Sequence, residues 1–66
     1  MPANPRQNNK RELSRAYGNL DKALLHIAPL AEEYRPLHPE ISEALEVIAA
    51  VLIEAQHGLQ QVRMDI

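Results

Sequence analysis

Two runs of apolar residues with the same helical period, divided by a short stretch holding two prolines, restrict this chain more than any other feature. Leu13, Tyr17, Leu20, Leu24, Ile27, Ala31 and Tyr34 recur at intervals of 4, 3, 4, 3, 4 and 3. An α-helix returns such positions to one face, whereas a strand would alternate. Ala16, Ala23 and Leu30 widen the stripe on one side. Ile41, Leu45, Ile48, Leu52, Ala55, Leu59 and Val62 repeat the same intervals. Between the runs lies Arg35-Pro36-Leu37-His38-Pro39, where each proline biases its preceding residue away from helix. Pro39 suits the first turn of a new helix, and Glu40 and Glu43 place carboxylates near its positive end. His38 is a candidate cap. The expected fold is all-α: an antiparallel two-helix hairpin with helix 10–34, turn 35–39 and helix 40–63.

Residues 1–9 read as a flexible leader, because Pro2 and Pro5 interrupt regular structure and Asn4, Asn8 and Asn9 favour turns and caps. Asn9 and Glu12 have the spacing of a capping box. Within the first helix, Gly18 could admit a close backbone or ligand, and Pro29 predicts a kink.

The second helix asks for more than one neighbour. Ala44, Val47, Ala49, Ala50, Val51 and Ile53 add to its seam, and Glu46 is the one charge between Ala44 and Ile53. A single partner covers a single stripe. Sixty-six residues without cysteine offer no third long helix and no disulfide; small domains of this kind need another staple. The expectation is a homo-oligomer, a homodimeric four-helix bundle or something larger, with Leu45, Val47, Ile48, Val51, Leu52, Ala55 and Leu59 at the interface. Neither a signal peptide nor a membrane-length apolar run is visible, so the reading is a soluble cytoplasmic protein with no membrane partner.

Chemistry is sparse. There is no cysteine nucleophile and no glycine-rich phosphate loop, and Ser14 and Ser42 have no recognisable base, so no enzyme and no cofactor is expected. Ser42 reads as a small residue in the first turns of the second helix. Glu54-Ala55-Gln56-His57 sets a carboxylate and an imidazole one turn apart, the spacing used in di-metal bundles. Asp21 could complete a metal site from the first helix, but Glu54 and His57 fall on the flank of the seam, and such pairs are common on ordinary helices. His26 reads as a flank residue.

The net charge of −2 conceals an asymmetry: residues 1–22 carry +3 and residues 23–66 carry −5. Arg11, Arg15 and Lys22 repeat at intervals of 4 and 7, hence on one face, with Tyr17 nearby in sequence. Arginine with tyrosine can hold a nucleotide through phosphate contacts and base stacking. A plain solvated face accounts for the same residues. Duplex DNA is an unsuitable partner for an acidic chain without a docking motif.

The second helix resembles phage anti-CBASS proteins that sequester cyclic oligonucleotide signals. Their C-terminal helix has a pattern like Ser-Leu-Ala-Leu-Thr-Lys-Leu followed later by Ala-Asn. Here Ser42-Glu43-Ala44-Leu45-Glu46-Val47-Ile48 continues to Ala55-Gln56 and Leu59. Ser42, Ala44, Leu45 and Ala55 match, Ile48 stands for leucine and Gln56 for asparagine. The likeness covers about a quarter of the chain, chiefly at helix-packing positions. Glu46-Val47 replaces the Thr-Lys pair, removing a donor and a cation, and the N-terminus is shorter. The resemblance implies a small oligomeric hairpin holding a signalling nucleotide between subunits, with cations from Arg11, Arg15 and Lys22.

Two functions are therefore expected in competition. One is a non-enzymatic phage sponge that binds a cyclic or linear oligonucleotide signal, working in the host cytoplasm. The other is a protein-interaction module that inhibits or adapts a larger host or defence protein. A carboxylate/histidine metal bundle stands third.

Overall fold

A computed structural model describes residues 5–66 as two helices, α1 (Pro5–Tyr34) and α2 (Pro39–Asp65), folded back on each other as a hairpin. Backbone bonds account for the reversal. The Tyr34 carbonyl accepts from the amides of Leu37 and His38 at 3.1 and 2.7 Å. The His38 carbonyl then accepts from Ile41 and Ser42 at 3.0 and 3.1 Å. Pro36 and Pro39 have no amide proton, so the tight turn strands no donor at either position. His38 is the N-cap residue of α2, but its side chain makes no capping hydrogen bond. Its Nδ1 instead lies 3.5 Å from a Glu40 carboxylate oxygen.

Helix α1 begins five residues earlier than the periodicity suggests. Of the expected leader, residues 1–4 lie outside the described residues and residues 5–9 are helical. Pro5 is the reason: at the start of a helix its missing amide costs nothing and its fixed φ is already helical. Asn8 and Asn9 are thus inside the helix, and the Asn9–Glu12 capping box is not formed. Glu12 pairs with Arg15 at 2.7 Å. Pro29 is also accommodated inside α1. It is exposed, as is Leu25 one turn earlier, whose carbonyl is the one left without its helical donor. At the far end α2 runs to Asp65, and the Ile66 amide closes it on Val62 at 3.2 Å.

The α1 seam is as expected: Leu13, Tyr17, Leu20, Leu24, Ile27 and Tyr34 are half-buried and Ala31 is buried. The α2 seam is rotated. Its covered positions are Ser42, Leu45, Ala49, Leu52, Gln56 and Leu59, whereas Ile41, Ile48, Ala55 and Val62 are exposed. Two polar residues belong to the contact because each finds an acceptor across it. Ser42 Oγ donates to the Ala31 carbonyl at 2.7 Å, and Gln56 Nε2 donates to the Tyr17 carbonyl at 3.3 Å. Near the turn, Arg35 bridges the helices through Glu46 at 2.7 Å and Glu32 at 3.1 Å. The hydrogen bond to Glu46, followed by the nearby charges of Glu32 and Glu46, raises the guanidinium pKa further above its already high value.

The result is a slab one helix thick, measuring 56 × 19 × 10 Å between Cα extremes. Its radius of gyration is 15.8 Å, against about 11 Å for a compact domain of this length. No described helix is long and apolar enough to cross a membrane.

Candidate association surface

A hairpin of this shape has one inner face and leaves the rest of both helices uncovered. Ala31 is the one buried hydrophobic residue, and no large side chain is fully enclosed among the described residues. The chain exposes 5202 Å², where a compact monomer of its mass would expose about 4,200 Å². The excess of about 1,000 Å² is close to the area each partner contributes to a standard protein interface, about 800 Å².

The uncovered apolar residues form a pattern. Ile41, Ala44, Ile48, Val51, Ala55, Gly58 and Val62 are all exposed and follow one another at intervals of 3, 4, 3, 4, 3 and 4. This is a second heptad seam on α2, beside the one that meets α1. Val47, at 59% exposure, and Val51, at 61%, are the most exposed of the large apolar residues between Ile41 and Val62. At 100° per residue, Ile48 and Ala55 are on the side of α2 opposite Glu46 and Ile53. Leu30 likewise lies opposite Ala28 and Glu32 on α1. The Ala28 side carries an open groove of about 270 Å³ floored by Ala31, Ala49, Ala50 and Ile53, with Arg35 and Glu46 at its end. Among the described residues, the Leu30–Ile48 side has no ion pair between the helices like that of Arg35 with Glu46.

The expected interface set therefore divides. Leu45, Leu52 and Leu59 are half-buried against α1, while Val47, Ile48, Val51 and Ala55 remain open to a partner. The reading from sequence merged two adjacent stripes into one. The exposed stripe also holds Ile41 and Val62, expected in the inner seam, together with Ala44 and Gly58. Their own spacing is the signal that could have found them.

The candidate ligand residues do not converge within one hairpin. Arg11, Arg15 and Lys22 are exposed on one face of α1, with Arg15 engaged by Glu12. Tyr17 is half-buried on the side facing α2, and its carbonyl accepts the Gln56 bond. The cation sharing a surface groove with Tyr17 is Arg63, in a depression of about 120 Å³ that Leu13, Ser14 and Leu59 also line. Asp21, Glu54 and His57 are all exposed, and among the described residues no three metal-ligating side chains come together. Gly18 has no atom within 4 Å of the position a Cβ would take, so nothing in the hairpin requires a glycine there. His26 is exposed, and Ser42 stands in the first turns of α2, where it is also a buried donor.

Compared with known proteins, the chain matches no family model, no curated relative and no solved structure.

Proposed function

We infer that this is a non-enzymatic association protein whose working form is a homo-oligomeric bundle of hairpins. The observation that carries this is the second apolar seam on α2, uncovered along the whole helix in a chain with almost no buried core of its own. Contiguous apolar surface of that extent marks an interface. At about 25 cal/mol per Å² of apolar surface covered, burying it adds to the stabilisation that the sparse hairpin core supplies. A dimeric four-helix bundle is the simplest assembly that covers the seam. Sedimentation of the purified chain tests the reading. The parent should sediment as a dimer or larger at micromolar concentration. Ile48→Glu with Val51→Glu should sediment as a monomer, because both positions are exposed on the outer seam, Ile48 at the flank of the hairpin and Val51 further round from α1. A parent chain that stays monomeric and stably folded at 0.1 mM overturns it; that concentration is set well above about 1 μM, which corresponds to 8 kcal/mol of association free energy.

One observation favours nucleotide capture as a second reading. Arg11, Arg15 and Lys22 share a solvent-facing strip on α1 that α2 does not cover. The likeness to the oligonucleotide sponges supports it as well. Arg11→Glu with Arg15→Glu should abolish binding of cyclic oligonucleotides in a direct titration, and unchanged binding removes this strip as the site.

A further inference from the structure

The hairpin separates charge along its length. Its turn end, residues 32–46, holds Glu32, Glu33, Glu40, Glu43 and Glu46 against Arg35, a side-chain net of −4. Its open end, residues 5–15 with 60–66, holds Arg6, Lys10, Arg11, Arg15 and Arg63 against Glu12 and Asp65, a net of +3. Some of these charges are balanced locally. Arg35 is taken by Glu46 and Glu32, and Arg15 by Glu12. Glu33 and Glu43 at one end, and Lys10 and Arg11 at the other, make no hydrogen bond or ion pair among the described residues and are left to act outward. The two ends are separated by most of the 56 Å length, several screening lengths at physiological salt. They do not neutralise each other within one molecule.

We propose that the outer α2 seam is covered by a second copy of this chain laid in the opposite direction, so that the acidic turn end of each hairpin lies over the basic open end of the other. This rests on the self-association reading above. The seam permits both directions, since its apolar residues run the full length of α2. Charge selects between them. Same-end pairing brings −4 against −4 and +3 against +3; opposite-end pairing brings −4 against +3 twice, and a two-fold axis across the middle of the hairpins produces it. Opposite-end pairing also places the cations of each open end beside carboxylates of the partner, which withdraws them from a diffusible anion.

Charge exchange tests the direction. Glu33→Lys with Glu43→Lys takes the turn end from −4 to 0, and Lys10→Glu with Arg11→Glu takes the open end from +3 to −1. In each α1 substitution the new charge has the sign that its own helix end favours; Glu43→Lys instead sets a cation near the positive end of α2, so circular dichroism of each variant must match the parent before its dimerisation is compared. Each variant alone should dimerise about tenfold more weakly than the parent at low salt, and an equimolar mixture should form the mixed dimer in preference to either homodimer. Strengthened dimerisation of Glu33→Lys with Glu43→Lys overturns opposite-end pairing in favour of same-end pairing. A parent chain that never dimerises defeats the association reading itself, a separate outcome. A second measurement does not depend on charge. The chain has no cysteine, so a spin label on Leu37→Cys, an exposed turn position, reports one distance per dimer. Opposite-end pairing requires a separation of about 40 Å or more, the length of α2 at 1.5 Å per residue. A separation below about 25 Å, again by that rise per residue, overturns it.

Discussion

Ser42 Oγ donates a 2.7 Å hydrogen bond to the carbonyl of Ala31, and the two residues are buried on facing helices, eleven positions apart in the chain. The Ala31 carbonyl also accepts the Arg35 amide at 3.1 Å. The bond therefore ties the last turn of α1 to the first turns of α2 and fixes how far the chain advances through the turn before the helices meet. Ser42→Ala removes the cross-helix donor without orphaning the carbonyl. The expected loss is about 1 kcal/mol, read as a lower denaturation midpoint at a fixed protein concentration.

Gln56 performs a similar task further along the hairpin with a longer bond. At 3.3 Å its amide contributes little beyond satisfying itself, and packing is its larger role. Gln56→Leu keeps the volume and should change stability by less than about 1 kcal/mol, while Gln56→Ala should lose about 2 kcal/mol through the cavity left behind. Urea unfolding of the pair checks the order; equal losses would mean that the hydrogen bond, not the packing, matters.

The two glycines offer a comparison within one molecule. Neither has an atom within 4 Å of where a Cβ would stand, and both are helical. Gly18→Ala should stabilise the chain by about 0.5–1 kcal/mol at any concentration. Gly58→Ala should give the same gain in the dissociated hairpin and a smaller one, or a loss, in the assembled form, because Gly58 belongs to the outer seam. Thermal melts over a hundredfold range of concentration would separate the two.

The exposed trio Asp21, Glu54 and His57 yields a simple spectroscopic expectation. Without three converging ligands, cobalt(II) added to the protein should keep the weak absorption of the hydrated ion. Intense visible bands of a tetrahedral site would show that assembly creates a metal centre.

Much of the fold was legible because α1 is unambiguous. Its main apolar series forms one stripe, and the structure covers all seven positions from Leu13 to Tyr34, while Leu25 and Leu30, the latter expected to widen the stripe, are exposed. The turn was readable from Pro36 and Pro39, which close together bias the residues before them away from helix. The phase of α2 was not. Its apolar surface contains two parallel 3-4 stripes, and the series Ile41, Leu45, Ile48, Leu52, Ala55, Leu59, Val62 crosses between them. The inner stripe was hidden by Ser42 and Gln56, polar residues whose burial is tolerated because each meets a backbone carbonyl of α1. The start of α1 was hidden by Pro5, which reads as a breaker inside a chain segment and as a favourable first residue at its beginning. The candidate ligand residues were placed together by proximity in sequence, yet Tyr17 turns towards α2 while Arg11, Arg15 and Lys22 turn away.

A slab 10 Å thick between Cα extremes has no interior layer, and that bears on how long the chain survives. Each backbone amide is shielded only by its own helix and one neighbour, so opening a few turns suffices to admit a protease. When the fold is completed by association, protection rises with the amount of protein present. If the hairpins associate as proposed, dilute chains would be removed and concentrated chains would persist, so abundance itself would set lifetime. Freshly made protein would accumulate only after synthesis outruns clearance, giving its action a threshold in dose rather than a graded onset.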